Sequence, residues 1–468
     1  MALPFQVLNP FRQRSRTQVE NAVRNKFNEA FFFGSLGGEV LDDDLNKKRY
    51  IDYAYNINPD VYSVVNQIAN KFTSIPYVIR RIEDEQAQKS LNRINRTTKY
   101  DYSLPQEVRV RQLKELAFKD GSFDLPLETP NPNQTWDEFW MLSETFLNTT
   151  GNVYWYVMKP ELRPNAEPTA IYVLPSHLVQ IVIKHNVSFQ SIENPVDYYI
   201  LSEGAQYIDF KAEEVIHIKY ANPNYDENGS HLYGQSPLRA AWKNIQGTNK
   251  GLDLAVNTLK NGGAFGFIHA KDGNTPLTSV QGKEIKDRLK EMNKDTEDLG
   301  RIAGMSHALG FTRISLTPDE LKPFDYFKYN LKQVCNVLGW DDKLLNSDDG
   351  AKYDNMRIAE KRVIIGKIVP DIRLFEQSFT KHFLSQFSKY KNTTIDFMVK
   401  ELPEMQQDYK VMTEWVTKLK DKALITGNEA LAILDMPRSE DPNMNVLTTI
   451  DQIMTLEDAV LPDDNLQI

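Results

Sequence analysis

Two short stretches of the sequence carry residue types that could do hydrolytic chemistry. The first, GQSPL at 234–238, begins like the G-x-S-x-G turn that presents the nucleophilic serine of an esterase. Leu238 stands where that strained turn needs its second glycine. A serine followed by proline at the start of an apolar helical stripe is also a common helix N-cap. The pattern therefore favours a structural role for Ser236.

The second stretch, PDELK at 318–322, superficially matches the acids and lysine of a metal-dependent nuclease. In such enzymes the aspartate and the E-x-K segment come from different strands. Here Asp319 and Glu320 are adjacent, so their side chains would point apart. The sequence favours a helix N-terminus carrying acidic side chains, with the nuclease kept as an alternative.

Other candidates for chemistry are scattered along the chain. The seven histidines never fall at spacings that put two metal ligands on one helix face, and Cys335 lies on an apolar helical stripe. A phosphate-binding G-x4-G-K-[S/T] sequence does not occur. We therefore predict no catalytic activity, no metal site and no cofactor.

The length and the amino-acid composition are those of a globular protein. The 468 residues allow about three domains, and 41% of them are hydrophobic. The single cysteine, the lack of a signal-like N-terminus and the lack of long apolar runs predict a soluble protein made in the cytoplasm. The net charge of −9 argues against tight binding to phosphates.

The elements that must position these residues begin with a mixed α+β region over 1–235. Helical spacing predicts helices over 19–33 and 61–72. Thr135 caps a further helix, which ends in a turn at Thr150-Gly151 and is followed by a strand. The stretches AIYVLPSHLVQIVI, DYYILSE and EEVIHIKY predict strands.

Two segments of this region have no such periodicity. Residues 42–48 predict a charged loop, and the polar tract over 80–127 predicts an exposed insertion with a short helix.

Two long helices enclose a small unit in the middle of the chain. The first starts at Ser236 and ends at Asn261-Gly262-Gly263. Its apolar stripe consists of Leu238, Ala241, Trp242, Ile245, Leu252, Ala255, Val256 and Leu259. The second ends at Gly339. Between them the sequence predicts a strand, a charged helix over 279–294 and a strand over 311–316.

The charged helix carries five basic residues interleaved with acids. This pattern usually means a solvated helix face, and a polar docking surface is the functional alternative. The five are Lys283, Lys286, Arg288, Lys290 and Lys294.

The last third of the chain is mostly helical. A long pattern runs over 353–387 and contains Pro370, where we expect a kink. Two or three helices follow from Asp408, and the acidic end after Leu461 is expected to be mobile.

The order of these elements resembles that of portal proteins of tailed bacteriophages. The resemblance covers roughly residues 54–445 and rests on successive stretches in the order of that family. They are NPDVYSVVNQIANKFTSIPYVI, NPNQTWDEFWMLSETFLNTTGNVYWYV, AIYVLPSHLVQIVI, EEVIHIKY, YGQSPLRAA, LKNGGAFGFI, LKQVCNVLGWDDKLLN and TGNEALAILDMP.

The resemblance implies an α+β portal fold with named parts. They are a mixed α/β wing over 1–235, a two-helix stem over 236–262 and 318–340, and a small α/β clip over 263–317. A tunnel loop over 341–352, a long kinked wing helix with a following strand over 353–400, and a helical crown over 401–468 complete the fold.

The resemblance also implies a ring of about twelve copies at one capsid vertex, a channel for double-stranded DNA during packaging and ejection. The implied partners are other copies of the chain, the large terminase subunit, the major capsid and scaffold proteins, and head-completion or adaptor proteins. No membrane is implied. The protein would be made in the host cytoplasm and reside in the virion.

Two sets of residues take roles from the resemblance. The five basic residues of the clip helix would dock the motor or adaptor. The tunnel loop would touch passing DNA weakly through Asn346, Ser347, Asp348, Asp349, Lys352 and Tyr353, because its acids discourage tight phosphate binding. A phage-encoded metal-dependent nuclease and another head-tail connector or ring protein are the alternatives.

Overall fold

The fold is taken from a computed structural model. It describes residues 44–118, 123–160, 166–183, 194–203, 206–224, 230–260, 266–270, 278–292, 309–313, 323–345, 353–405, 409–434, 436–437 and 439–447. The predicted helix over 19–33 and the acidic end after Leu461 lie outside these residues.

Helices predominate at both ends of the described chain, and six strands follow one another in between. The helices are α1 Asp44–Arg49, α2 Pro59–Thr73, α3 Glu85–Thr98, α4 Leu104–Ala117, α5 Trp136–Thr150, α6 Leu238–Lys260, α7 Ser279–Met292, α8 Pro323–Leu338, α9 Tyr353–Val363, α10 Val369–Ser378, α11 Tyr409–Asp421 and α12 Gly427–Ile433. The strands are β1 Tyr77–Arg81, β2 Asn152–Met158, β3 Ala170–Leu174, β4 Val179–Ile183, β5 Val196–Glu203, β6 Gln206–Lys211, β7 Val215–Lys219, β8 Gly266–Ala270, β9 Leu309–Arg313 and β10 Thr393–Phe397.

The chain forms two compact units. The first consists of Met1–Ser74 and Leu127–Ser378, and the second of Ile75–Pro126 and Phe379–Ile468.

An aromatic cluster forms the core of the first unit. Trp140 on α5 lies edge-on to Trp155 on β2, with ring centroids 5.6 Å apart, and Phe375 on α10 stacks on Trp155 at 5.7 Å. Phe72 on α2 closes the cluster, 5.4 Å from Phe375. Aromatic pairs at these separations add to the stabilisation that burial provides. The cluster therefore joins α2, α5, β2 and α10.

The predicted start and end of α5 are confirmed. Thr135 accepts a hydrogen bond from the Glu138 amide, and the Glu138 side chain accepts one from the Thr135 amide at 2.8 Å. This reciprocal pair is a capping box. Gly151 ends the helix with φ of +76°, in the left-handed region.

Two antiparallel sheets follow α5. The first has the strand order β3-β2-β7 and the second has the order β4-β5-β6. The sequence predicts each of these strands except β6, whose short alternation of polar and apolar residues follows directly on β5. In the second sheet β6 pairs with β5, with Tyr199 opposite Phe210.

The two long helices and the small unit between them are present. Strands β8 and β9 pair antiparallel with Ile268 opposite Phe311, and α7 lies between them in the chain. Helix α8 ends at Gly339 as predicted, with φ of +74°. Among the described side chains of α6, over 238–257, the buried ones all lie in the first half of the helix: Leu238, Ala241, Ile245 and Thr248.

The interruption predicted at Pro370 takes the form of a π-helical segment. Residues Ile364–Ile368 form this segment between α9 and α10, and the Val369 amide donates to the Ile364 carbonyl. Proline has no amide hydrogen and its ring clashes with the carbonyl four residues earlier in a regular α-helix. The wider turn relieves that conflict directly before Pro370.

The second unit corrects the prediction for residues 80–127. The segment is a strand followed by two 14-residue helices, α3 and α4, rather than an exposed insertion with a short helix. Ala87, Leu91 and Asn95 form a buried stripe on α3 that is too narrow to stand out in so polar a sequence. Strand β1 pairs antiparallel with β10, and α11 and α12 confirm the predicted helices of the tail.

The predicted charged loop over 42–48 is also wrong in part. Asp44–Arg49 forms α1, which continues into a π-helical turn over Tyr50–Tyr55. Tyr50 is buried and lies edge-on to Trp242 at 5.5 Å, so tertiary packing stabilises a helix that composition alone disfavours. None of the described helices is both long enough and apolar enough to span a bilayer.

Candidate functional site: a helix pair and its anchors

A buried polar ladder joins helices α6 and α8. Asn330 on α8 is fully buried and lies between two groups of α6. Asn244 donates to its Oδ1 at 3.0 Å, and its Nδ2 donates to the hydroxyl of Thr248 at 3.1 Å. A buried amide is costly unless its hydrogen bonds are made, so this ladder favours one register of the two helices.

Two glycines one turn apart let α8 approach α6 closely. A Cβ at Gly251 would lie 2.7 Å from the ring of Phe327, and one at Gly247 would overlap the hydroxyl of Tyr326. Real side-chain carbons do not approach other atoms so closely. The spacing of the two glycines therefore supplies the groove into which the aromatic residues of α8 fit.

Both helices also carry large apolar side chains that are partly exposed. On α6, Leu252 is 38% exposed, Leu254 46% and Val256 48%. On α8, Tyr326 is 47% exposed and Tyr329 56%. Leu252 and Val256 share one face of α6 at a spacing of four residues, whereas Leu254 lies on the opposite side. The second half of α6 thus offers apolar contacts on two sides, as interaction surfaces do.

The start of α6 is fixed by Ser236. Its hydroxyl donates to the carbonyl of Thr149 at 2.5 Å and accepts from the Leu238 amide at 3.2 Å. It thereby joins the end of α5 to the first turn of α6, and Ser236 is only 5% exposed. The predicted cap is confirmed, and the hydroxyl is engaged as a structural group.

Asn152 makes the second anchor. Its Nδ2 donates to the carbonyl of Gly234 at 3.1 Å, and its Oδ1 accepts from the Gly234 amide. The backbones of Gly234 and Gly151 touch so closely that a Cβ on either would overlap the other segment. Side chains are excluded at this crossing, and the direction in which the chain enters α6 is fixed.

A buried cluster of charges holds the interrupted helix α9–α10 against the body. Lys367 Nζ lies 2.9 Å from Asp371 Oδ2 and donates to the Tyr220 hydroxyl at 2.6 Å. Tyr220 donates in turn to Asp371 Oδ1 at 2.8 Å. Glu144 on α5 is fully buried and accepts from Asn148 at 2.8 Å. The cluster joins α5, the residue that follows β7, the π-helical segment and α10.

The surroundings of Glu144 favour the protonated form of its carboxyl. Burial, and after it the negative charge of Asp371, raise the pKa of the Glu144 carboxyl well above its ordinary value. Oε2 of Glu144 lacks a hydrogen-bond donor among the described groups, whereas Oδ2 of Asp371 lies 2.9 Å from the Lys367 ammonium. A protonated Glu144 carboxyl can donate a hydrogen bond to the Asp371 carboxylate. Burial also raises the pKa of Tyr220 well above its ordinary value.

The basic residues predicted for the clip are only partly described. Lys283 and Lys286 lie on α7 and are exposed, as are the neighbouring acids Glu284 and Asp287. Arg288 and Lys290 belong to α7 with side chains outside the described residues, and Lys294 lies beyond them. Their role as a docking surface stays a prediction.

The predicted tunnel loop falls largely outside the described residues. Asn346, Ser347, Asp348, Asp349 and Lys352 are not described, and Tyr353 is described only as the first backbone position of α9. The described residues before the loop form a 3-10 turn at Asp342–Leu344. Trp340 and Leu344 line a cavity of about 360 Å³ together with residues of α2 and α9.

The residues considered for enzyme chemistry have structural surroundings where they are described. Cys335 is 1% exposed, and burial followed by the charge of Asp342 raises the pKa of its thiol to about 12, which disfavours the nucleophilic thiolate. Within the described ranges no group of histidine, cysteine or acidic residues is placed to hold a metal ion. Asp319 and Glu320 lie outside those ranges.

Sequence reasoning missed the buried charge cluster. Lys367 and Asp371 stand at helical i, i+4 spacing and were visible as a pair. Glu144 and Tyr220 were not, because each lies within an apolar stretch far away in the chain and only the fold brings them together.

A mixed α+β body, a helix pair enclosing a small β-hairpin and helix, and a long interrupted helix define a portal-type fold. The chain belongs to the phage portal protein family, whose model matches residues 59–435. The resemblance predicted from the sequence is therefore confirmed, and the family is structural and in general non-enzymatic.

Individual proteins agree with this assignment. The chain is 24% identical over 323 residues to the portal protein of Escherichia phage T5, covering 68% of this chain and 71% of that protein. A subunit in the neck of an empty gene transfer agent particle matches with a TM-score of 0.53 and 16% identity, over 85% of this chain and 94% of the other. A subunit in the neck of the native particle, computed with C12 symmetry, matches with a TM-score of 0.53 and 15% identity over 85% and 95%.

Proposed function

We propose that this chain forms a closed ring, of about twelve copies, at one vertex of a phage capsid. Double-stranded DNA enters through the ring during packaging and leaves through it during ejection. The single observation that carries the proposal is the second half of α6, with apolar side chains exposed on two opposite sides. In a cyclic ring each subunit meets two neighbours through two different surfaces, which is what these two sides offer.

Two further observations support a ring. Tyr326 and Tyr329 on α8 extend the uncovered apolar surface next to α6, and aromatic side chains are enriched in interfaces between subunits. The gene transfer agent necks that contain chains of similar fold were computed with C12 symmetry for the native particle and C6 symmetry for the empty one. The wing, stem, clip, tunnel-loop and crown boundaries given above are part of the proposal.

The first experiment is native mass spectrometry of the purified full chain, with negative-stain imaging. Rings of about twelve copies with a hole at least ~20 Å wide, the width of a DNA duplex, are expected. A protein that stays monomeric at 54.0 kDa even with its capsid and scaffold proteins present would refute the proposal.

We propose that the clip helix docks the large terminase subunit during packaging and head-completion or adaptor proteins later. Lys283 and Lys286 are exposed on α7 and alternate with acids, which suits a polar and reversible interface. The tunnel loop contacts the moving duplex weakly, because Asp348 and Asp349 repel phosphates while Lys352 attracts them. Finished rings reside in the virion, after synthesis in the host cytoplasm.

These two roles are separable in a packaging assay with assembled particles. Lys283→Gln/Lys286→Gln is expected to weaken motor binding and to lower packaging, whereas Lys352→Ala is expected to change packaging with motor binding intact. Lys211→Gln, which removes an exposed lysine of β6, is the control. Normal packaging and motor binding in every variant would remove both roles and leave ring assembly standing.

A further inference from the structure

We propose that helix α3 carries a second binding site for duplex DNA, separate from the channel. The site is the basic stripe, which we define as Lys89, Arg93, Arg96 and Lys99. Its chemistry selects the phosphodiester backbone and not the bases. The choice of DNA as the polyanion rests on the proposed function, whereas the existence of the site rests on the residues of α3.

The basic stripe occupies one side of an amphipathic helix. Lys89, Arg93 and Arg96 follow each other at spacings of four and three residues and so share a face. Lys99 follows as the C-cap of the helix, and all four residues are exposed. The span from Lys89 to Lys99 is about 15 Å at 1.5 Å per residue.

The opposite side of α3 holds the helix in place. Ala87, Leu91 and Asn95 are buried, and α3 packs against α4. Asn95 also accepts a hydrogen bond from the hydroxyl of Tyr102 at 2.5 Å. Because this side is packed, the helix presents the basic stripe to solvent in one orientation.

The local charge is unusual for this chain. The whole protein has a net charge of −9, yet no acidic residue occurs between Gln86 and Tyr100. Helix α7, by contrast, alternates acids and bases, as a solvated face usually does. The acids that flank this segment in sequence are Glu85 and Asp101. The pair of Glu85 with Lys89 at 3.3 Å is more than 70% exposed on both sides and therefore weak.

The acids of the neighbouring helix α4 are engaged elsewhere. Glu107 forms an ion pair with Lys400, and Glu115 lies 3.8 Å from Arg111. Neither neutralises Arg93 or Arg96. The basic stripe is therefore complementary to an external polyanion.

The spacing of the charges fits a nucleic-acid backbone. One strand of B-DNA carries a phosphate every 3.4 Å along the axis, so a 15 Å stripe runs along about four phosphates. Two of the four residues are arginines, whose planar guanidinium groups bind phosphate oxygens in pairs. Ser90 and Asn92 flank the basic residues and are exposed as further hydrogen-bond donors.

An acidic protein is the less suitable occupant. Stable protein interfaces have a buried apolar centre, usually with aromatic or other large side chains. The exposed residues of α3 include no large apolar side chain. Binding to DNA phosphates does not require one, since release of counterions supplies the free energy.

The test measures binding of the assembled full-length protein to a short fluorescent duplex by anisotropy, over a series of salt concentrations. Arg93→Gln/Arg96→Gln is compared with Lys418→Gln/Lys422→Gln, which removes the same charge from exposed positions at the end of α11 in the same unit. Arg93→Gln/Arg96→Gln is expected to lower affinity by roughly 10-fold and to reduce the log–log salt slope by about 1.8. The control is expected to match the wild type.

Three outcomes would overturn the site. Arg93→Gln/Arg96→Gln could keep the wild-type affinity and salt slope, or the control could lose as much. Alternatively, polyglutamate could compete as well as duplex of equal charge, which would point to an acidic protein as the occupant. Native mass spectra of each variant separate the two proposals: rings without stripe-dependent DNA binding refute only this site, and stripe-dependent binding by a protein that forms no ring refutes only the proposed function.

Discussion

At the scale of single residues, Glu144 differs most from its expected behaviour. A carboxyl group is ordinarily ionised at neutral pH, but burial and then the charge of Asp371 raise the pKa of Glu144 and favour its protonated form. The folded chain therefore binds one proton that the unfolded chain releases above about pH 4.5, the ordinary pKa of a glutamate. The contribution of Glu144 to the free energy of unfolding is fully present below that pH. It is lost as the pH rises toward the raised pKa of the folded state.

This linkage predicts the effect of Glu144→Gln. The amide is always neutral and still donates to Asp371, so the variant should lose the part of the pH dependence that Glu144 causes. From pH 5 to pH 8 the unfolding free energy of the wild type should fall more steeply with pH than that of Glu144→Gln. The difference in slope should be up to about 1.4 kcal/mol per pH unit. Thermal and denaturant unfolding at several pH values measure this.

Glu213→Gln is the matched control, because Glu213 lies in the same unit and is exposed. It should follow the pH profile of the wild type. Parallel profiles for Glu144→Gln and the wild type would mean that Glu144 does not hold the extra proton.

At the scale of elements, the α6–α8 pair depends on Asn330. Replacing it with leucine keeps the branching of the side chain but removes the partner of both Asn244 and Thr248. Asn330→Leu should therefore lower the unfolding free energy by about 1–3 kcal/mol, the cost of leaving buried polar groups unsatisfied. Denaturant unfolding measures the change.

Asn336→Leu on the same helix is the comparison, since its side chain is exposed. A change within about 0.5 kcal/mol is expected there. Equal losses in the two variants would show that the polar ladder does not hold the pair together.

The elements also show what the sequence reveals and what it hides. Helix α2 was predictable because Val61, Val65 and Phe72 recur at helical spacing and are all buried. Helix α3 was not, because its buried side is narrow and includes an asparagine. Strand β6 was missed because an alternation of polar and apolar residues over only six positions is too short to predict a strand before its partner strand is known.

The residues of the candidate site likewise include some that could be predicted from the sequence and some that could not. Ser236 could be placed from its neighbours alone, because a helix cap is a local interaction. The contact between Gly151 and Gly234, and that between Glu144 and Asp371, join segments far apart in sequence. Such pairings are fixed by tertiary packing and leave no periodic signal.

At the scale of the whole molecule, ring assembly should depend on the uncovered side of α6. Leu252→Ser/Val256→Ser removes apolar surface from one face of the helix without touching the polar ladder. We expect the chain to stay folded while rings dissociate at lower protein concentration than wild-type rings do, because the subunit contact loses hydrophobic area. Native mass spectrometry over a dilution series measures this.

Leu116→Ser provides the control, since Leu116 on α4 is 62% exposed and lies in the other unit. Its rings should resist dilution like those of the wild type. If the α6 variant forms rings just as readily, the contact between subunits must use another surface.

The π-helical segment before Pro370 has a consequence for the phase of the long helix. A π turn holds about one residue more than an α turn, and one residue corresponds to about 100° of rotation. Asp371 and Phe375 thus point into the body only because the segment Ile364–Ile368 rotates α10 about the helix axis relative to α9. Deleting one residue there would restore a continuous α-helical repeat and turn the buried side of α10 away from its partners. The length of this segment, more than the identity of its residues, sets which face of α10 is inside.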